Sequence, residues 1–229
     1  MEQTLQFGIF GDSLMKGTLP ADGMRYAFHK DIMERLLQPI QTAVVVNKAK
    51  FGATIQKGLR VLQKDLNNGS RYDYALVEYG GNDCNYDWPA IAENPDGEHD
   101  PAVSLPEFTR ALRSMIDALV ASGTKPVLMT LPPIDAEKYL DRICRPGLDR
   151  DAILQWLGDA NRIYRTQELY SDAIYKTAME LGLPCVDVRS IFLQQVDFPA
   201  LISDDGIHPS EKGYELLYST LIDSIPKIL

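Results

Sequence analysis

Histidine is scarce: the 229 residues hold three, His29, His99 and His208. Any chemistry that needs an imidazole must use one of those positions. Cysteine is equally scarce, and Cys84, Cys144 and Cys185 are an odd set without metal-ligand spacing. That argues against a disulfide framework or a metal site and for reduced thiols, with Cys185 in an apolar run as a small core residue. No apolar run approaches the roughly 20 residues that span a bilayer. Lysine and arginine number 23 against 32 acidic residues, a net charge of −9. Such a chain repels polyphosphates, so nucleic acid and anionic membrane surfaces are poor partners. The opening Met1-Glu2-Gln3-Thr4 has neither a basic n-region nor a long apolar stretch, which predicts no signal peptide and a cytoplasmic setting.

What is present is ordinary for a globular protein: 45% hydrophobic and 24% charged residues. The length suits one α/β domain over residues 1–229. Leu5, Phe7 and Ile9 mark a first strand that breaks at Gly11-Asp12-Ser13-Leu14. Tyr26, Phe28, Ile32, Met33, Leu36 and Leu37 recur at helical spacing and predict a helix to about Pro39. A strand follows at 43–46, then a helix with Ile55, Leu59, Leu62 and Leu66 on one face, stopping at Asn68-Gly69. Residues 74–79 read as a third strand ending at Gly80-Gly81-Asn82-Asp83. The polar stretch with Pro89, Pro95, Gly97 and Pro101 reads as a surface loop.

Ser104 and Glu107 form a capping-box pattern for a helix carrying Phe108, Leu112, Ile116 and Leu119. A fourth strand spans 127–131, stopped by Pro132-Pro133. Residues 134–158 depart from simple alternation, and a long helix then runs to Leu181. A fifth strand at 185–188 and a closing helix with Tyr214, Leu217, Tyr218, Leu221 and Ile225 complete the chain. Strands alternating with helices call for a parallel sheet covered on both faces. Ligands of such sheets bind beyond the carboxyl ends of the strands. The unusual loops 11–14, 51–53 and 80–83 all fall at those ends.

Two stretches carry chemistry. A strand that breaks at a glycine and then presents Ser13 mounts a hydroxyl above the sheet edge, although a serine after a strand also serves as a cap or turn former. Near the other end stands Ser203-Asp204-Asp205-Gly206-Ile207-His208-Pro209. An acid and an imidazole three residues apart in a turn allow the carboxylate to meet Nδ1, leaving Nε2 to take a proton from a serine. The alternative is a surface turn ahead of the last helix. His29 falls within the first predicted helix and His99 in the polar loop, so His208 is the candidate base.

Four blocks together resemble the SGNH subgroup of the GDSL hydrolases. Gly11-Asp12-Ser13-Leu14 is similar to the block carrying the nucleophile. Asn47 through Gly52-Ala53-Thr54 is similar to the second block, Gly80-Gly81-Asn82-Asp83 to the third, and Asp205-Gly206-Ile207-His208-Pro209 to the last. They occur in family order and span nearly the whole chain. The resemblance implies a three-layer α/β/α sandwich with a flavodoxin-like five-stranded parallel sheet, order 2-1-3-4-5. It implies a serine esterase in which Ser13 is nucleophile, His208 base and Asp205 its orienting acid. The Ser13 and Gly52 amides and the Asn82 side chain would hold the oxyanion. No metal or organic cofactor is implied, and the partner is a small-molecule ester, a small or sugar-linked acyl ester being the first choice. Within the family a lysophospholipase or thioesterase is the alternative; outside it, a non-catalytic binding module on the same scaffold.

Three points stay open at this level. Glu78 is a carboxylate inside an apolar strand with no visible partner. Asp204 is a rival to Asp205, separated from it only by the D-x-x-H spacing. Residues 134–158, with Tyr139 and Trp156, read either as a lid whose aromatics line the substrate pocket or as a packed helical excursion.

Overall fold

The computed structural model describes residues 4–21, 24–28 and 43–228. Its main sheet is built from β1 (Leu5–Phe10), β4 (Ala43–Asn47), β5 (Tyr74–Val77), β6 (Lys125–Met129) and β7 (Cys185–Val186). All neighbours are parallel and the order is β4-β1-β5-β6-β7, which over these strands alone is the expected 2-1-3-4-5. Ile9 stands opposite Asn47 and Leu76, Leu76 opposite Val127, and Leu128 opposite Cys185. The carboxyl ends of β1, β4, β5 and β6 therefore share one edge.

Side chains alternate across a strand, and here the alternation separates two cores. Phe10, Ala75, Val77 and Leu128 face α1 (Ile55–Asn67), α3 (Leu105–Ala121) and α6 (Asn161–Leu181), meeting Leu62, Phe108, Leu112 and Tyr170. Their sequence neighbours Ile9, Leu76, Val127 and Met129 face the other way. They pack on α7 (Val188–Leu193), α8 (Phe198–Leu201) and α9 (Glu211–Ile228) through Phe192, Leu201, Tyr214 and Leu217. Both faces of the sheet are thus covered, as its near-continuous apolar strands require. The Ser104 amide and hydroxyl both donate to the Glu107 carboxylate at the start of α3, at 3.2 and 2.7 Å. The first of these bonds is one half of the capping box, and the Ser104 side chain facing the Glu107 amide is the other. Among the described residues no helix is long and apolar enough to cross a membrane.

Three sequence readings need correction. Tyr26 and Phe28 do not open a helix: β3 (Tyr26–Phe28) pairs antiparallel with β2 (Thr18–Pro20), Tyr26 opposite Pro20. Two aromatics at spacing two suit a strand as well as a helix, and β-propensity prevails. The rest of that predicted helix, His29 included, lies outside the described residues. The polar loop after Asp83 contains α2 (Trp88–Glu93), whose cap is Asp87 accepting from the Ala90 amide at 3.2 Å. Pro89 sits in its first turn, where proline starts a helix instead of preventing one. The fifth strand stops at Val186, because the Asp187 carboxylate accepts from the Ser190 amide and turns the chain into α7.

Residues 134–158 form α4 (Ala136–Cys144) and α5 (Arg150–Leu157), begun by the Asp135 and Asp149 side chains accepting amides of their first turns. With α2 and the start of α6 they enclose a third apolar cluster, in which Ile91, Leu140 and Ile153 are fully buried. The excursion is a packed subdomain with its own core. Leu140→Ala should therefore cost about 2–5 kcal/mol in urea unfolding. A loss below about 0.5 kcal/mol, the scale of a surface substitution, would mean that this segment is not packed as described.

Candidate active site

Ser13 sits just past the end of β1, at the entrance to a single 3-10 turn, Leu14–Lys16. The Asp12 carboxylate braces that turn by accepting the Leu14 amide on Oδ1 at 2.9 Å. From the neighbouring strand, the Asn47 side chain donates to the Met15 carbonyl at 2.7 Å, and the Lys50 amide reaches the Gly11 carbonyl at 2.9 Å. The hydroxyl is thus held by backbone tied on two sides.

The loop between α8 and α9 folds on itself before it reaches Ser13. Ile202 and Pro209 form an antiparallel bridge, and the Ser203 amide donates to the His208 carbonyl at 2.9 Å. Inside that loop Asp205 Oδ1 accepts the amides of Ile207 and His208 at 3.1 and 3.0 Å. Its Oδ2 lies 2.6 Å from His208 Nδ1, and His208 Nε2 lies 2.9 Å from Ser13 Oγ. A carboxylate only accepts, so the neutral ring carries its proton on Nδ1 and takes the serine proton on Nε2. Burial alone would raise the Asp205 carboxyl; the hydrogen bonds from the His208 ring and from the two amides outweigh it and hold the group below its ordinary value. Asp204 points away, exposed to solvent.

Gly206 makes this loop possible. Its φ is +79°, and a Cβ there would fall 2.3 Å from the Tyr139 amide and 2.5 Å from the Asp135 carbonyl. The start of α4 is therefore pressed against the acid–imidazole loop, and Asp135 donates its amide to the Gly206 carbonyl at 2.8 Å.

On the far side of Ser13, Asn82 Nδ2 donates to Asp12 Oδ2 at 2.7 Å and reaches the Ala53 carbonyl at 3.3 Å. The first bond is short and charge-assisted, the second long and neutral. The N–H that faces Ala53 is therefore the more weakly engaged of the two. Neither the Ser13 nor the Gly52 amide donates to another described residue. Gly52 is exposed and stands next to Ala53, the residue that touches Asn82, and it is not part of the pocket wall.

The pocket in front of Ser13 has a volume of about 90 Å³. Its wall includes Asn82, Tyr86, Trp88, Leu131, Ile134 and Tyr139 beside Ser13 and His208. Of the two aromatics singled out in the sequence, Tyr139 lines this space and Trp156 does not. Trp156 meets the Tyr86 ring edge-on, with ring centres 4.9 Å apart and the Arg162 guanidinium 4.2 Å above its own ring. Asn85 ties the wall together by accepting from Trp88 Nε1 at 2.9 Å and Tyr139 Oη at 2.8 Å. Sequence reasoning missed Tyr86, Trp88 and Asn85 because the stretch after Gly80-Gly81-Asn82-Asp83 read as loop. The usable signal was Trp88-Pro89 behind Asp87, a capped helix start. Tyr26 was missed too; its ring meets the His208 ring edge-on at 5.1 Å.

A hydroxyl whose proton has a neutral imidazole to go to suits the attack of a serine on a carbonyl carbon. On a three-layer α/β/α scaffold this is the arrangement of serine hydrolases. Residues 9–216 match the model of the GDSL-like Lipase/Acylhydrolase family. The chain belongs to that family and is an ester-hydrolysing enzyme. It is similar to the isoamyl acetate-hydrolyzing esterase of Saccharomyces cerevisiae, 26% identical over 96% of this chain and 85% of that protein. Its human homologue is 24% identical over 96% of this chain and 80% of its own length. Among solved structures, a catalytic mutant of an acetylxylan esterase from Geobacillus stearothermophilus matches with a TM-score of 0.68. There the identity is 21% over 98% of this chain and 95% of that one. A lipase/acylhydrolase from Enterococcus faecalis gives a TM-score of 0.67 at 19% identity, over 96% of this chain and 95% of that one.

The two neighbouring acids separate cleanly in this geometry. Asp205→Asn should lower kcat on the order of 10⁴-fold, the scale of the corresponding change in a serine protease. Asp204→Asn should stay within about twofold, as an exposed charge replaced by an amide does little. Steady-state kinetics on both variants check this, and the reverse ranking would remove Asp205 from its place.

Proposed function

We propose that the enzyme hydrolyses short-chain, chiefly acetyl, esters of small alcohols or sugars through an acyl-enzyme on Ser13. The observation that carries the proposal is the unbroken line from Asp205 Oδ2 through His208 to Ser13 Oγ, at 2.6 and 2.9 Å. Ser13 Oγ attacks the acyl carbonyl as its proton passes to His208 Nε2, and Asp205 stabilises the imidazolium. The carbonyl oxygen, now anionic, accepts from the Ser13 and Gly52 amides and from Asn82. His208 then gives its proton to the departing alcohol, leaving the acyl group on Ser13. Water attacks in turn, with His208 again taking the proton, and the acid is released.

The acyl size follows from the pocket. Its volume of about 90 Å³ is far below the roughly 300–1,000 Å³ of sites for drug-sized ligands. Leu131, Ile134 and Tyr139 are bulky members of its wall. The names of the yeast relative and of the Geobacillus structure also both specify acetyl esters. A lysophospholipase would need room for a long chain, and a surface of net charge −9 is ill suited to anionic lipid.

A panel of p-nitrophenyl esters of rising acyl length, acetylated sugars and lysolipids tests the reading, with kcat/KM as readout. Acetyl should lead, with a drop of roughly tenfold or more for each methylene beyond the pocket's capacity. Ser13→Ala should abolish turnover and fluorophosphonate labelling while keeping the fold. Preference for long acyl chains or lysolipids would overturn the substrate class, and labelling that survives in the Ser13→Ala variant would overturn the nucleophile.

A further inference from the structure

Beneath the Ser13 turn lies a pair of carboxyl groups that the reaction does not consume. Glu78 follows β5 and is completely buried, and Asp12 is 2% exposed. The Asp12 amide donates to Glu78 Oε2 at 3.2 Å, which sets the two buried carboxyl groups side by side. Gly11 provides the room, since a Cβ there would come 2.9 Å from Glu78 Oε2 and 2.7 Å from Met15 Cγ. Two carboxylates side by side in a buried site cannot both stay ionised, so the pair holds one proton.

The donors around them say where it sits. Asp12 Oδ1 accepts the Leu14 amide and Oδ2 accepts Asn82 Nδ2, at 2.9 and 2.7 Å, and His208 faces it as well. Glu78 has the Asp12 amide on Oε2, while its Oε1 is buried without a hydrogen-bond partner. An ionised Glu78 would leave that oxygen bare, at a cost no neighbour offsets. The other titratable groups facing the pair are Asp83, Cys84, and the phenols of Tyr79, Tyr214 and Tyr218. Each of these is neutral or acidic, so none favours a second negative charge. Burial first, and then the Asp12 charge, push the Glu78 carboxyl well above its ordinary value.

We propose that Glu78 is a positioning residue for the ester chemistry: as a neutral acid donating to the Asp12 carboxylate, it fixes the Asp12–Asn82 contact and so aims the Asn82 amide at the oxyanion. The inference rests on the function proposed above. It also gives the reaction an upper pH boundary. The neutral acid is present below the pair's loss of its proton and is lost above it. There a second negative charge would sit under the forming oxyanion, oppose it, and push Asp12 and Glu78 apart.

Glu78→Gln keeps an N–H donor to Asp12 and cannot ionise, and Glu78→Leu removes the donor without burying a new polar group. The wild-type kcat should fall at alkaline pH. Glu78→Gln should stay within a few-fold of it at neutral pH and lose that alkaline limb. Glu78→Leu should lose about tenfold or more in kcat with KM little changed, and less than the roughly 10²–10³ lost with an oxyanion donor itself. An infrared difference spectrum of wild type minus Glu78→Gln at pH 7 should contain the carbonyl band of a protonated carboxylic acid, a readout independent of turnover. A spectrum without that band, or an alkaline limb unchanged in Glu78→Gln, would overturn the proposal. So would a folded Glu78→Leu with wild-type kcat. Failure of the ester reading would instead appear as turnover that survives Ser13→Ala, with the infrared band intact.

Discussion

The hydrogen bond from Ser13 to His208 joins residues 195 positions apart, and the fold is arranged around making it. A parallel sheet brings the carboxyl ends of its strands to one edge, so β1 and the loops after β4 and β5 deliver Ser13, Gly52 and Asn82 to neighbouring places. His208 comes from beyond the last strand and must be carried back to that edge. The self-closed loop between α8 and α9 does this, and Tyr214 of α9 locks the return by donating to the Thr18 carbonyl at 2.9 Å. Loss of that docking would leave each loop intact and the line broken.

A second constraint is the seat of the acid–imidazole loop. Gly206 lies against the backbone at the start of α4, so the subdomain of α2, α4 and α5 supports the same loop that aims His208. The pocket wall is built from that subdomain too, through Tyr139 and Trp88 on Asn85. Acyl specificity and imidazole orientation therefore share one packed element. Changes in its core should be felt in both.

Much of this was legible in the sequence because it depends on local chemistry. Glycine-broken strands, D-x-x-H spacing and a sheet of alternating apolar faces each leave a pattern in the residues. Strand order and the oxyanion roles came from the family resemblance. What escaped depended on competition between local signals. Tyr26 and Phe28 fit two periods at once, and the pairing with β2 chose between them. Trp88-Pro89 looked like loop because proline is read as a breaker, although an aspartate cap before it makes proline a starter. The partner of Glu78 was out of reach, since Asp12 lies 66 residues away in sequence and only the fold brings them together. Trp156 illustrates the limit for aromatics: its segment leaves the sheet edge beside the site, and packing sets the ring behind Tyr86 and out of the pocket wall.

The central claim is that acyl groups pass through Ser13. Rapid acid quenching of the enzyme during turnover of p-nitrophenyl acetate, followed by peptide mass spectrometry, tests it most directly. The account predicts the mass of one acetyl group on the peptide containing Ser13, absent from the Ser13→Ala protein. Turnover with that peptide unmodified at every quench time, or the acetyl group on another residue, would contradict it.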